Sequence, residues 1–149
     1  MIKIQKKNFN FSEENKKLLK NNSGAIVTFI GVVRGKTKTK KIQSIYIECY
    51  LKMAEKKLEE VEMIANKKWK LNNCIIIHRY GKIKPGEKIV YIATSAEHRK
   101  NAFKSCEFII DYLKTKAPFW KLEKINSKEM YVRLKKKDEK NLKKWENII

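Results

Sequence analysis

Four side chains in the stretch from Ser95 to Glu123, SAEHRKNAFKSCEFIIDYLKTKAPFWKLE, have the types and spacing for chemistry on an anion. His98 and Arg99 stand at the mouth of a predicted helix and Lys114 near its end. Lys121 follows on the segment after Pro118, which breaks the helix. An imidazole, a guanidinium and two ammonium groups around one helix and its exit would attract an anion, and crowding of like charge lowers a lysine pKa. A lysine tuned in this way serves as nucleophile or proton donor near neutral pH. The plainer alternative is a capping histidine, a solvated first-turn arginine and two snorkelling lysines.

The elements that must position these groups follow from pattern. Ser95 follows the strand-like run KIVYIAT and reads as the N-cap of a helix to Lys116. Ala102, Cys106, Ile109 and Leu113 trace its apolar stripe, widened by Phe103 and Ile110. The helix start, with its free N–H groups and dipole, favours a phosphate beside His98 and Arg99. Upstream, residues 1–11 suggest an edge strand or arm, and Ser12, Glu13 and Glu14 start a short helix running to about Lys20, with a turn from Asn21 to Gly24. Ala25–Val33 reads as a buried strand in which Gly31 admits a close backbone neighbour, and Lys36–Lys41 as a mobile basic loop. Ile42–Tyr50 alternates as a strand with Ile45 and Ile47 on one face, and Met53–Trp69 is a helix with Leu58, Val61, Ile64, Ala65 and Lys68 on one stripe. Cys74–Arg79 and Lys88–Thr94 form a hairpin through KPGE. A strand at Trp120–Ile125, a turn at INSKE, a strand at Met130–Leu134 and a charged helix or tail anchored by Leu142 and Trp145 complete a single α+β domain over residues 1–149.

Longer pieces carry a family signal. GAIVTFIGVVRG (Gly24–Gly35), HRYGKIKPGEKIVYIATS (His78–Ser95), SAEHR and FIIDYLKTKAPFWK, with a weaker echo in IECY and Met53, together resemble the catalytic (large) subunit of molybdopterin synthase. The resemblance runs from about Gly24 to Trp145, and DYLKTKAPFWK is its specific part. It implies an α/β hammerhead fold with an additional antiparallel β subdomain. It implies sulfur transfer from the C-terminal thiocarboxylate of a small ubiquitin-like subunit to cyclic pyranopterin monophosphate, forming the dithiolene of molybdopterin. It also implies a homodimer of this chain within a heterotetramer; no cofactor is expected. By the same resemblance, Arg34, His98 and Arg99 hold the substrate phosphate, and Lys114 and Lys121 carry the chemistry. Glu123 balances the cations or relays a proton, and Arg133 matches an arginine contributed across the dimer interface. Glu48, Tyr50 and His78 also echo family positions, with structural roles expected for them.

Composition bounds the alternatives. A chain of 149 residues can bury roughly 70% of its unfolded surface as one domain. It has no apolar run of transmembrane length, and no signal peptide is expected from the basic start MIKIQKKNFNF. Cys49, Cys74 and Cys106 show no CxxC spacing, and with only His78 and His98 beside them no zinc or other metal site is expected. Reduced cytosolic thiols fit best, so a cytoplasmic location is expected, and Cys106 reads as a small buried hydrophobe rather than a nucleophile. The formal charge of +20 raises the alternative of a basic nucleic-acid-binding module. Against it, the lysines are dispersed, arginine is scarce and no RNP-type motif is present. The positive field would steer a small anionic substrate.

Overall fold

The computed structural model describes residues 1–19 and 22–149; Lys20 and Asn21, where the first helix was expected to end and its turn to begin, lie outside them. The elements are β1 (Ile2–Gln5), α1 (Phe11–Lys16), β2 (Ala25–Val32), β3 (Ser44–Cys49), α2 (Leu51–Trp69), β4 (Asn73–Arg79), β5 (Gly81–Ile83), β6 (Lys88–Ala96), α3 (Arg99–Thr115), β7 (Phe119–Ile125), β8 (Lys128–Tyr131) and α4 (Lys136–Lys143). Two four-stranded sheets result, ordered β1-β4-β6-β2 and β5-β3-β7-β8. Every pairing is antiparallel except β1 with β4. This is the expected α+β class with a second antiparallel sheet.

Period-two alternation divides the first sheet's side chains between two cores. Cys74, Ile76 and Ile92 face α2 and α3, where Leu58, Val61, Ala65, Phe108, Ile109 and Tyr112 complete the main cluster. Ile75, Ile77, Tyr91 and Ala93 face the other way, covered by Phe9 and Leu18. A third cluster, Val33, Ile42, Ile45, Ile47 and Ile83, seals the second sheet, with Phe119 packed against both the first and third clusters. Among the described residues, no helix is long and apolar enough to cross a membrane.

Several expectations shift in detail. Ser95 does not cap α3. It is a buried strand residue registered against Ile26 and Asn73, and His98 takes the N-cap position without a side-chain bond. The ladder holds the backbone to Ala96, so the helix starts later. Phe103 is 63% exposed, off the apolar stripe, whereas Ser105 and Phe108 are buried on it. In α2, Trp69 rather than Lys68 ends the stripe. The strand from Ala25 is an edge strand, half-buried rather than buried. At Gly31 a Cβ would stand 2.6 Å from Val90 Cγ1, which gives that glycine its reason. β4 and β6 pair as expected, but β5 leaves between them to join the second sheet. The loop from Lys36 is closed by a bridge to Lys41 and a Thr37 N–H to Lys40 carbonyl bond of 2.7 Å. Asn126 and Ser127, both at positive φ, make the tight turn that returns β8 onto β7.

Candidate active site

The site lies where the two sheets meet beside the C-terminal end of α3. A cavity of about 750 Å³ opens there, walled by Phe29, Val90, Ile92, Ile110, Leu113 and Phe119. Arg34, Lys114, Lys121, Lys135 and Lys137 also line it, with one carboxylate among them, Asp138. An apolar floor with a cationic rim suits a flat heteroaromatic ligand that carries an anionic group.

Each rim residue has a structural origin. Arg34 follows buried Val33, just past the end of β2. Lys114 sits one residue beyond buried Leu113, at the edge of the apolar stripe, and its ammonium is 3.7 Å from Asp138 Oδ1 on α4. After α3 the chain turns through buried Pro118 into β7. There Lys121 is registered against Ile47 and Glu123 against Ile45, so both point to the inward face of the second sheet. Burial lowers the Lys121 pKa. Glu123, 3.8 Å away, opposes that shift, while Arg34, Lys135 and Lys114 reinforce it. The structure thus brings together three of the sequence-selected residues, Arg34, Lys114 and Lys121, with Glu123 as counter-charge.

His98 and Arg99 are not brought to them. They flank the start of α3, fully on the surface, with His98 Nε2 3.5 Å from Glu97. From Arg99 to Lys114 the helix rises about 22 Å. The expectation that all four groups gather around one helix therefore fails within a single copy, because the helix holds its two ends apart. Arg133 is exposed and absent from the cavity lining; Lys135, two residues on, lines it instead.

The contribution of α4 was missed by sequence reasoning. Its anchors were visible: Trp145 stacks edge-on against Trp69 and Phe108, and its indole N–H donates to Asp111 Oδ2 at 2.8 Å. Leu142 and Trp145 pin α4 along α3, and this carries Lys135, Lys137, Asp138 and Asn141 to the cavity. His78 was also undervalued. It is buried at the cavity, stacked on Phe119 with centroids 3.7 Å apart and planes 12° apart. Glu48 accepts a hydrogen bond from the Tyr131 hydroxyl at 3.1 Å, and Tyr50 precedes α2 as its N-cap residue, both structural positions. Burial pushes the Cys106 thiol up to about 12 and the Cys74 thiol to about 12, and raises that of Cys49 to about 11, so none is poised as a thiolate.

The comparison with known families decides the assignment. The profile of the MoaE protein family matches residues 4–116. The chain belongs to the MoaE family. A molybdopterin synthase catalytic subunit of Vibrio cholerae is 36% identical over 146 residues, covering 97% of each chain. A solved structure of a molybdopterin biosynthesis MoaE protein from Burkholderia ambifaria superposes with a TM-score of 0.83 at 37% identity, covering 97% of each chain. A complex of subunits 1 and 2 of molybdopterin-converting factor from Helicobacter pylori contains a chain matching at 25% identity and TM-score 0.75, over 89% of this chain and 90% of that one. The MoaE profile includes Arg34, His98, Arg99 and Lys114, whereas Lys121 and α4 lie beyond its last matched residue.

Proposed function

We propose that this chain is the catalytic subunit of a molybdopterin synthase. It takes sulfur from the C-terminal thiocarboxylate of a small ubiquitin-like subunit and delivers it to cyclic pyranopterin monophosphate, giving the dithiolene. The observation that carries the reading is the cavity itself, where a half-buried lysine of lowered pKa and four further cations surround an apolar floor. Both reactants are anionic at the reacting end, so each gains from that rim. Arg34 offers a planar fork to the phosphate. Lys121, desolvated and inward-facing, stabilises and positions the thiocarboxylate. Lys114 moves the proton or forms a transient covalent link during transfer. The relatives named as molybdopterin synthase catalytic subunits support the same chemistry.

Partner and assembly follow from the same reading. The small subunit is the sulfur donor, as the two-subunit Helicobacter complex suggests by analogy. A homodimer of this chain within a heterotetramer accounts for His98 and Arg99: held far from Lys114 in their own copy, they serve the phosphate in the neighbouring copy's cavity. Arg133, exposed beyond β8, is available to such an interface as well.

Reconstitution tests the proposal. The chain, mixed with a thiocarboxylated small subunit and cyclic pyranopterin monophosphate, yields dithiolene product, detected after oxidation to its fluorescent derivative. That product disappears in Lys114→Ala while the fold persists. Binding of the small subunit without turnover would reduce the protein to a scaffold.

A further inference from the structure

His78 occupies the floor of the cavity with every edge of its ring accounted for except one. One face stacks on Phe119. Nδ1 lies 2.8 Å from the Arg79 carbonyl oxygen, which accepts only, so Nδ1 carries the proton. Nε2 is then the unprotonated nitrogen, an acceptor, and it makes no hydrogen bond among the described residues. Nor is it sealed away: Ser23 Oγ and Ser95 Oγ are the buried side-chain polar atoms left without a partner among those residues. A buried imidazole with an unused lone pair at a cavity wall is set up to receive a donor from whatever fills the cavity.

We propose that His78 Nε2 accepts a hydrogen bond from an N–H of the pterin ring and so fixes the ring's orientation in the cavity. This rests on the synthase reading above. The geometry favours the pterin over the peptide tail of the sulfur donor. Arg34, Lys114 and Lys121 form the rim and take the anionic ends, while His78 lies among Ile92, Leu113 and Phe119, where a flat ring fits. The charged groups lining the cavity around it are the cations Arg34, Lys114, Lys121, Lys135 and Lys137 and the carboxylate Asp138. Burial keeps the imidazole neutral, its pKa pushed down to about 4 against the opposing bond to the Arg79 carbonyl, so the acceptor is present throughout the physiological range. His78 is thus a positioning residue that moves no proton.

Two substitutions separate this role from a structural one. In His78→Asn the amide nitrogen mimics Nδ1, keeping the Arg79 contact and losing the acceptor at the Nε2 position. In His78→Gln the longer side chain places an amide oxygen near the Nε2 position and abandons the Arg79 contact. The expected result is a KM for the pterin raised roughly tenfold in His78→Asn with small-subunit affinity unchanged, and a KM near wild type in His78→Gln. The reverse pattern, with Asn active and Gln impaired, overturns the proposal. A second readout needs no variant. The chain has only two histidines, so the ¹⁵N resonance of Nε2 is readily assigned, and it shifts when the pterin alone is added. A shift on adding the small subunit alone, or none with the pterin bound, overturns it too. Absence of turnover in the wild-type protein would instead count against the synthase reading and leaves the pterin-binding readout to judge His78.

Discussion

The buried, neutral His78 makes a quantitative statement about stability against pH. An unperturbed histidine titrates at 6.5, whereas burial holds His78 at about 4, partly offset by its bond to the Arg79 carbonyl. Its folded pKa lies below its unfolded one, so the unfolded chain binds the extra proton between these values. The contribution is therefore fully present above about pH 6.5 and is lost as pH falls toward 4. The full gap corresponds to roughly 3 kcal/mol, of which about 2 kcal/mol falls between pH 7 and pH 4.5. The assay is urea denaturation of wild type and His78→Gln at both pH values, compared as a difference of differences. Glu14 also titrates in acid. Its burial raises the pKa, but hydrogen bonds from Lys17 and Lys3 outweigh that and leave it lowered, so its contribution fades as pH falls below 4.5. It sits on the N-terminal helix, away from the cavity, and cancels in the comparison. Wild type should lose about 2 kcal/mol more than the variant on acidification. Parallel losses in the two proteins would refute the reasoning, because they would mean that His78 is already protonated in the folded state or still solvated.

Three further outcomes are expected. Lys114→Ala and Arg99→Ala, each inactive alone, should on equimolar mixing and reassembly recover about a quarter of wild-type turnover, since half of the dimers then contain one intact pair of contributions; no recovery would place His98 and Arg99 outside the neighbouring cavity. Trp145→Ala removes the contacts with Trp69 and Phe108 and the bond to Asp111, and should cost about 2–3 kcal/mol by thermal or urea unfolding, below the range for a fully buried tryptophan because the residue is only partly buried. Lys121→Arg keeps the charge but does not titrate, so an alkaline limb of the rate–pH profile lying below the ordinary lysine value of 10.5 in wild type should vanish in the variant.

Much of the architecture was legible because its periodicities are strong. Ile45 and Ile47 alternate inward as read, Leu58, Val61 and Ala65 mark the buried stripe of α2, and the polar INSKE segment turns where Asn126 and Ser127 adopt positive φ. The failures share a cause, since each depends on a partner remote in sequence. Ser95 has the composition of a helix cap, but ladder bonds to two neighbouring strands retain it in β6. β2 has the apolar composition of a central strand yet lies at a sheet edge, because only the topology decides which strand has one neighbour. Of the site, Arg34, Lys114 and Lys121 were selected by motif, and no periodicity could have shown them to be neighbours. His78, in a strand that reads as apolar core, gave no signal that one of its nitrogens would be left facing a cavity.

In a chain this rich in lysine, charge alone identifies nothing; register and burial do. Lys121 and Lys124 are three residues apart on β7, but Lys121 stands opposite Ile47 on the inward face while Lys124 stands opposite Ser44 on the other. Burial lowers the pKa of the first, and the nearby cations add to the shift. The same distinction sets Lys135 apart from Arg133. The preference for arginine at anion sites would select Arg133, but the path of the chain into α4, held by Leu142 and Trp145, brings Lys135 to the cavity. The cationic rim is thus assembled by packing at three places distant in sequence: the end of β2, the junction of α3 with β7, and the start of α4. A substitution that loosens α4 should therefore perturb the field at Lys121 without touching any residue of the reacting pair.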